Sequence, residues 1–276
     1  MSSSTDEPGL LLEGMPVIFI DRKGRTYYDQ LEVDKISNCG GKQIYHTELI
    51  GQQDGLDIKS RQGPRFRVFS ASYREHVTRM SRHAQIIHPK DAAVIVAWAD
   101  LQEGARVVEG GLGSGALATA ILRAIGSSGH LTTYELRQEP TNLALKNVRA
   151  LMGETTNHRV RVADIYEGLE ERNVDSIILD VPEPWLVVEH AATALRSGGH
   201  FAAYVPTALQ MQQVVLALEA TYRFGLIESL ETILRNWHVT GRSLRPDHKI
   251  MGHTGFLVFA RRKAQVLTSS DDLKET

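Results

Sequence analysis

Arg106-Val107-Val108-Glu109-Gly110-Gly111-Leu112-Gly113-Ser114-Gly115-Ala116-Leu117-Ala118 joins an apolar run to an Ala-rich one through a glycine turn that carries one acid. The first run reads as a strand and the second as a helix. Glycines at 111, 113 and 115 let the chain turn sharply and come close to a ligand with no Cβ in the way, and the helix N-terminus offers unpaired amide donors. A dinucleotide-binding turn spaces its glycines Gly-x-Gly-x-x-Gly around a pyrophosphate. Here the order is acid-x-Gly-x-Gly-x-Gly, which suits a nucleoside cofactor with a cationic tail. On this stretch alone a plain strand-turn-helix, with glycines serving tight packing, stays open.

Outward from the turn, strands are expected at Arg106 to Glu109, Leu131 to Glu135, Val160 to Ala163, Ser176 to Asp180 and His200 to Val205. Helices are expected near 115 to 125, 138 to 151, 184 to 195 and 208 to 220. This alternation predicts a parallel sheet covered on both faces, with ligands held beyond the carboxyl ends of its strands. Acids stand at three successive strand ends. Glu135 suits two ribose hydroxyls, Asp164 with the backbone of Ile165 suits an adenine edge, and Glu109 orients the turn or attracts an ammonium group. Each alone reads as a helix cap or surface charge. Together with the turn they point to S-adenosylmethionine. Leu226 to Leu234 and Gly255 to Ala260 have no clear helix between them and predict an antiparallel edge hairpin.

The fourth strand ends Asp180-Val181-Pro182-Glu183-Pro184-Trp185. Prolines stiffen that turn by fixing φ, and the run resembles that of amino-methylating enzymes, which often place Asn or Asp before Pro here, an acceptor that can hold an exocyclic amine while the nucleophilic nitrogen faces the methyl group. Asp180 is thus the expected substrate-positioning residue; the alternative is a cap for the helix starting at Pro184. Tyr204 ends the fifth strand and is expected to line the same pocket. Upstream, Gln85, Ile86 and His88 lie in a polar stretch expected to fold over the cofactor.

Among the 276 residues the net charge is only −2, but the basic residues are clustered. Lys59, Arg61, Arg65, Arg67, Arg74, Arg79, Arg82 and Lys90 face Glu75 alone, interleaved with Phe66, Phe69 and Tyr73. Arg235, Arg242, Arg245, Lys249, Arg261 and Arg262 form a second group with Trp237. Basic residues among aromatics suit phosphate and base contacts, so an RNA substrate is expected, with a solvated basic face as the alternative. The single cysteine, Cys39, forms no internal disulfide, which suggests a reducing, cytoplasmic setting. No metal-ligand spacing, transmembrane run or signal-peptide pattern is present. Residues 1–12 and 264–276 read as polar tails, 13–75 as a small β-barrel or sandwich domain, and 76–263 as the catalytic domain.

Five stretches closely resemble the tRNA (adenine-N1)-methyltransferases that act on adenine 58 of the T-loop, some archaeal members acting also on adenine 57. They are Gln85-Ile86-Ile87-His88-Pro89-Lys90-Asp91-Ala92, Val108 to Leu117, Tyr134-Glu135, Leu179 to Trp185, and Gly252-His253-Thr254-Gly255-Phe256-Leu257-Val258. His88 stands where many bacterial members have Tyr. The resemblance implies an α/β class I methyltransferase fold: a Rossmann-like, mostly parallel seven-stranded sheet with an antiparallel C-terminal hairpin, plus the small N-terminal β domain. It implies S-adenosylmethionine as cofactor, tRNA as substrate, no metal, and a homotetramer. It adds Leu112, Ser114, Leu136 and Asp180 to the cofactor contacts, Asp180 being also the catalytic residue, and His88, Pro182, Tyr204 and His253 as substrate contacts. Two other readings remain open at this stage: a same-fold methyltransferase for a protein carboxylate or small molecule, and a non-catalytic tRNA-binding subunit.

Overall fold

The computed structural model describes residues 9–264. Strands β1 (Pro16–Asp21) and β2 (Thr26–Gln30) form a hairpin closed at Asp21, whose Oδ1 accepts the backbone amides of Lys23 and Arg25. Strands β3 (Ile36–Asn38) and β4 (Gln43–Tyr45) make a second hairpin. Strands β5 (Asp57–Lys59) and β6 (Arg65–Ser70) complete an antiparallel sheet of order β2-β1-β6-β5. Alternating residues of these strands, Val17 and Phe19 with Phe66 and Val68, point to one side, where they bury with Leu31, Cys39, Ile44 and Leu49. Burial pushes the Cys39 thiol up to about 12, which makes it inert. The N-terminal tail is shorter than expected. Leu10 bridges Gln53 and Leu11 is 0% exposed in this core, because Leu10-Leu11-Leu12 is apolar enough to be held. The remaining tail positions, 1–8 and 265–276, lie outside the described residues.

Helix α1 (Tyr73–Arg79) follows directly, opened by a reciprocal Ser72–Glu75 capping box. It ties the small sheet to the larger unit. Buried His76 donates from Nε2 to the Asn147 carbonyl (2.9 Å) and accepts at Nδ1 from the Tyr28 hydroxyl (2.8 Å), an arrangement that requires the neutral ring its burial favours.

The larger unit runs α2 (Pro89–Trp98), β7 (Arg106–Gly110), α3 (Ala116–Ile125), β8 (His130–Glu135), α4 (Gln138–Met152), β9 (His158–Val162), β10 (Val174–Leu179), α5 (Val188–Ala194), β11 (Leu195–Val205), α6 (Ala208–Ala220), β12 (Phe224–Leu230), a hairpin of β13 (Trp237–Thr240) and β14 (Ser243–Pro246), and β15 (Phe256–Arg262). The seven-stranded sheet has order β12-β15-β11-β10-β7-β8-β9. All its pairings are parallel except those of β15. Period-two alternation splits each central strand between two cores. Val107, Ile178, Ala202 and Leu257 pack under α2, α3 and α4. Val108, Ile177, Phe201 and Val258 pack under α5 and α6. Each large aliphatic side chain so enclosed contributes roughly 1.5–3 kcal/mol.

The C-terminal strands β12 and β15 pair antiparallel at one edge of the sheet, as expected, with β15 lying between β11 and β12 and its Leu257, Val258 and Phe259 buried. One expectation needs correction. The helix expected over 184–195 is a 3-10 turn at Pro184–Val187 followed by α5, and Leu195 already belongs to β11 through its pairing with Val174. Among the described residues, no helix is long and apolar enough to cross a membrane.

Candidate active site

The carboxyl ends of β7, β8, β9, β10 and β11 and the start of antiparallel β15 meet at one end of the sheet, around a cavity of about 1200 Å³. The order of connections reverses between β7 and β10, and a crevice at such a switch point receives the ligand. One half, over β7 to β9, is lined by Gly111, Gly113, Glu135, Leu136, Asp164 and Ile165. The other half, over β10, β11 and β15, is lined by Asp180, Pro182, Tyr204, Met251, His253 and Thr254. Gln85, Ile86 and His88 border both.

Local chemistry holds the first half in shape. Gly111 has φ +89°, and a Cβ there would stand 2.4 Å from the Asp180 carbonyl oxygen, so no other residue fits without parting β7 from β10. Glu135 accepts the amides of Leu112 and Arg137, both at 3.2 Å, which fastens the glycine turn to the end of β8. Asp164 caps the short 3-10 turn Ile165–Glu167 by accepting the Tyr166 amide at 2.9 Å. Its capping role and its place on the cavity coexist. Leu136 is 65% exposed, an apolar surface that suits the face of a purine. Asn147 donates to the carbonyls of Ser81 and Ser114, each at 3.0 Å, and so ties the 81–88 stretch to the turn.

Three expected contacts are placed differently. Leu112 is core, Ser114 is buried behind the turn, and Gly115 faces α4, where a Cβ would lie 2.7 Å from the Ala144 carbonyl. These residues shape the turn and do not line the cavity. Glu109 also points inward. It is fully buried, accepts the Thr133 hydroxyl at 2.7 Å, and leaves Oε1 without a partner. Burial, reinforced by the carboxylates of Asp180 and Glu135, pushes its pKa up to about 8. A carboxyl raised from 4.5 binds a proton in the folded state that it releases on unfolding, so its cost is absent below pH 4.5 and grows as pH rises toward 8. Glu109→Gln should therefore gain thermal stability over the parent between pH 5 and 8, by up to about 1.4 kcal/mol per pH unit. A gain independent of pH would contradict the assignment.

In the second half, Asp180 donates its backbone amide to the Gly110 carbonyl at 2.8 Å and presents a half-buried carboxylate to the cavity. Burial pushes its pKa up to about 6. The turn after it is fixed from two sides: the Tyr166 hydroxyl accepts the Glu183 amide at 3.0 Å, and Gln210 donates to the Pro182 carbonyl at 3.0 Å. Tyr204 donates to the Thr254 carbonyl at 2.6 Å, and burial raises its pKa to about 12. His253 sits between the Glu231 carboxylate (2.6 Å) and the Pro206 carbonyl (3.0 Å), which favours the doubly protonated ring. Both its nitrogens are thus engaged, leaving the ring's surface as what it offers a substrate. His88 has a buried, unpartnered Nδ1, and burial depresses its pKa.

Sequence reasoning did not single out Tyr166, Arg82, Arg137, Met251 or Thr254 as cavity residues. Thr254 lies inside a quoted motif and Arg82 in the first basic group; Tyr166, Arg137 and Met251 carry no signal in sequence. The basic groups also divide. Lys90 is buried in an ion pair with Asp91, Arg61 and Arg67 pair with Glu48 and Asp57, and Arg261 and Arg262 bond carbonyls at the opposite end of the sheet. Arg65, Arg74, Arg79 and Arg82 of the first group remain exposed, as do Arg235, Arg242, Arg245 and Lys249 of the second. Among the described residues, no three His, Cys, Asp or Glu side chains group to hold a metal.

Comparison with known proteins agrees with this geometry. A curated tRNA (adenine(58)-N(1))-methyltransferase, TrmI of Thermus thermophilus, is 35% identical over 90% of this chain and 96% of its own. The crystal structure of TrmI from Aquifex aeolicus superposes with a TM-score of 0.80 at 26% identity, covering 92% of this chain and 99% of its own. A structure described as a SAM-dependent O-methyltransferase of Thermotoga maritima superposes with a TM-score of 0.88 at 30% identity, covering 96% and 99%. The family model of the tRNA methyltransferase complex GCD14 subunit matches residues 75–246, and with that match and the TrmI relative the chain belongs to this tRNA methyltransferase family.

Proposed function

We propose that this chain transfers a methyl group from S-adenosylmethionine to N1 of adenine 58 in the tRNA T-loop, Asp180 holding the base by its exocyclic amine. The observation that carries this reading is the position of Asp180: a half-buried carboxylate at the switch point, its own carbonyl packed under Gly111 of the cofactor turn. The cavity exceeds the ~300–1000 Å³ typical of a single-ligand cleft, so a cofactor over β7 to β9 and a base over β10 to β15 fit together.

The residues present suit the cofactor. Glu135 has lone pairs for ribose hydroxyls beyond the two amides it accepts, Asp164 and the Ile165 backbone suit adenine, and Leu136 and Ile86 supply apolar walls. When bound, S-adenosylmethionine supplies the methyl group, its carbon–sulfur bond breaking as the nitrogen–carbon bond forms, so that positive charge passes from sulfur to the base. The chain supplies position. Ionised Asp180 accepts from the exocyclic amine and so turns the N1 lone pair toward the cofactor half, while Pro182 and Tyr204 border the ring. No base is required, because N1 carries no proton. Reaching N1 takes extraction of the adenine from its pairing, at a cost of a few kcal/mol that contacts elsewhere on the tRNA offset.

Two measurements follow. Acceptance by Asp180 needs the ionised form, so kcat/KM should rise with pH through about 6 and level off above it; a profile flat from pH 5 to 8 would contradict the role. The exposed arginines and Lys249 supply phosphate contacts, so log Kd for tRNA should vary linearly with log salt, and Arg74→Ala or Arg245→Ala should each lower that slope by about 1. An unchanged slope would remove these residues from the interface.

The name of the Thermotoga relative favours a second reading, O-methyl transfer to a carboxylate or small molecule. Tritiated methyl transfer to an unmodified tRNA transcript and to peptide substrates separates the two. Homotetramer formation is also proposed. Ile233, Leu234, Trp237, Val239 and Leu244 are exposed in and just before the β13–β14 hairpin, an apolar surface a monomer leaves in water, and light scattering tests it. A tRNA substrate supports the cytoplasmic setting expected from the sequence.

A further inference from the structure

Two of the stretches that carry the family resemblance, Pro89-Lys90-Asp91 and His253-Thr254-Gly255, are far apart in sequence and meet in a closed polar cluster. The Lys90 and Asp91 side chains are 5% and 0% exposed, with Nζ 2.7 Å from Oδ1. Lys90 Nζ also lies 2.8 Å from the Thr232 carbonyl and 2.7 Å from each of the Thr232 and Thr254 hydroxyls. The Thr254 hydroxyl donates to Asp91 Oδ2 at 2.7 Å, and the Thr232 hydroxyl donates to Oδ1. A buried ion pair recovers its desolvation cost only when hydrogen bonds surround it, and it adds little net stability over an apolar pair of the same size. What such a cluster does provide is one fixed geometry.

That geometry bears on the second half of the cavity. Asp91 stands in the first turn of α2, whose N-cap is His88 on the cavity wall. Thr254 belongs to the facing wall, where its carbonyl receives the Tyr204 hydroxyl and its neighbour His253 is fastened to Glu231 and Pro206. Lys90, Asp91 and Thr232 do not line the cavity themselves. They join its two walls from behind.

We propose that Lys90 and Asp91 are positioning residues that set the width of the slot receiving the target base, acting through Thr232 and Thr254 without touching base or cofactor. This rests on the base-methylation reading above. Displacement of a reacting base by about an ångström lowers rate by up to about a hundredfold while leaving the affinity of the larger ligand intact, because the remaining contacts are elsewhere. The slot's width is thus a term in the chemical step and not in tRNA docking.

The test uses the full chain and an unmodified tRNA transcript. The variants are Thr232→Val, which removes one hydroxyl of the cluster; Thr232→Ser, which keeps it; and the double Lys90→Met/Asp91→Asn, which leaves no unpaired charge if the single changes do not fold. Single-turnover methylation is read beside the Kd of cofactor by calorimetry, the Kd of tRNA by filter binding, and Tm. Thr232→Val and the double variant should lower the single-turnover rate by about 10- to 100-fold with both affinities within about twofold of the parent, and Thr232→Ser should restore it. An unchanged rate, or a rate lost in proportion to cofactor affinity and Tm, would overturn the proposal. A parent protein that methylates no tRNA adenine removes the reading on which it rests; an active parent with equally active variants removes this inference alone.

Discussion

Asp180→Ala should bind S-adenosylmethionine within about threefold of the parent and lose methylation by about a hundredfold or more, a loss of about 2.7 kcal/mol in transition-state stabilisation. The separation follows from where the residue stands. Its backbone, through the Gly110 hydrogen bond and the carbonyl packed under Gly111, belongs to the cofactor turn and survives the substitution; its carboxylate faces the substrate half. Asp180→Asn keeps the size but brings an amide donor that opposes the exocyclic amine, so it should fall between Ala and the parent. Stability should move the other way. Burial raises this carboxyl from 3.8 to about 6, so its cost to the fold is absent below pH 3.8 and fully developed above pH 6. At pH 7.5 both variants should equal or exceed the parent, by on the order of 1–2 kcal/mol. Near-normal turnover with bound cofactor would end the assignment.

Gly111→Ala should abolish cofactor binding at ordinary concentrations, raising Kd by about a hundredfold or more, and lower stability by roughly 2–4 kcal/mol. Two effects add. At φ +89° an L side chain is strained by about 1–2 kcal/mol, and the added methyl would meet the Asp180 carbonyl oxygen at 2.4 Å and its carbon at 3.2 Å. Neither atom can rotate away, since both are backbone of a turn held at Gly110, Tyr166 and Gln210. Relief therefore comes from shifting the turn that lines the cofactor half. Isothermal calorimetry with S-adenosylhomocysteine checks this, and an affinity within threefold of the parent would contradict it.

Much of the fold is legible in the glycine turn and the strand-helix alternation, because apolar period and glycine demand are local properties. Acids at the ends of β8 and β9 stand on the cavity for the same reason: a strand's end is readable, and a parallel sheet gathers such ends on one side. What escapes is whatever depends on which segment arrives from elsewhere. Glu109 ends its strand as Glu135 does, yet pleat alternation and the helices above turn it inward. Lys90 reads as one of a run of basic residues, but Asp91 and two threonines more than a hundred residues away bury it. Arg261 and Arg262 sit close in sequence to His253 and at the far end of β15 from it, since a strand carries its ends apart. The insertion of β15 inside β12 reflects burial on both faces, and adjacency in sequence says nothing of it. His88 is readable as a cavity residue, whereas the lack of any partner for its Nδ1 emerges only in three dimensions.

The most direct test of the account is to treat unmodified tRNA transcript with the protein and S-adenosylmethionine, digest it to nucleosides for mass spectrometry, and map the modified position by arrest of reverse transcription. The account predicts N1-methyladenosine at position 58, lost in Asp180→Ala. Methyl label confined to peptide or small-molecule substrates, or a methylated base other than N1-methyladenosine, would contradict it.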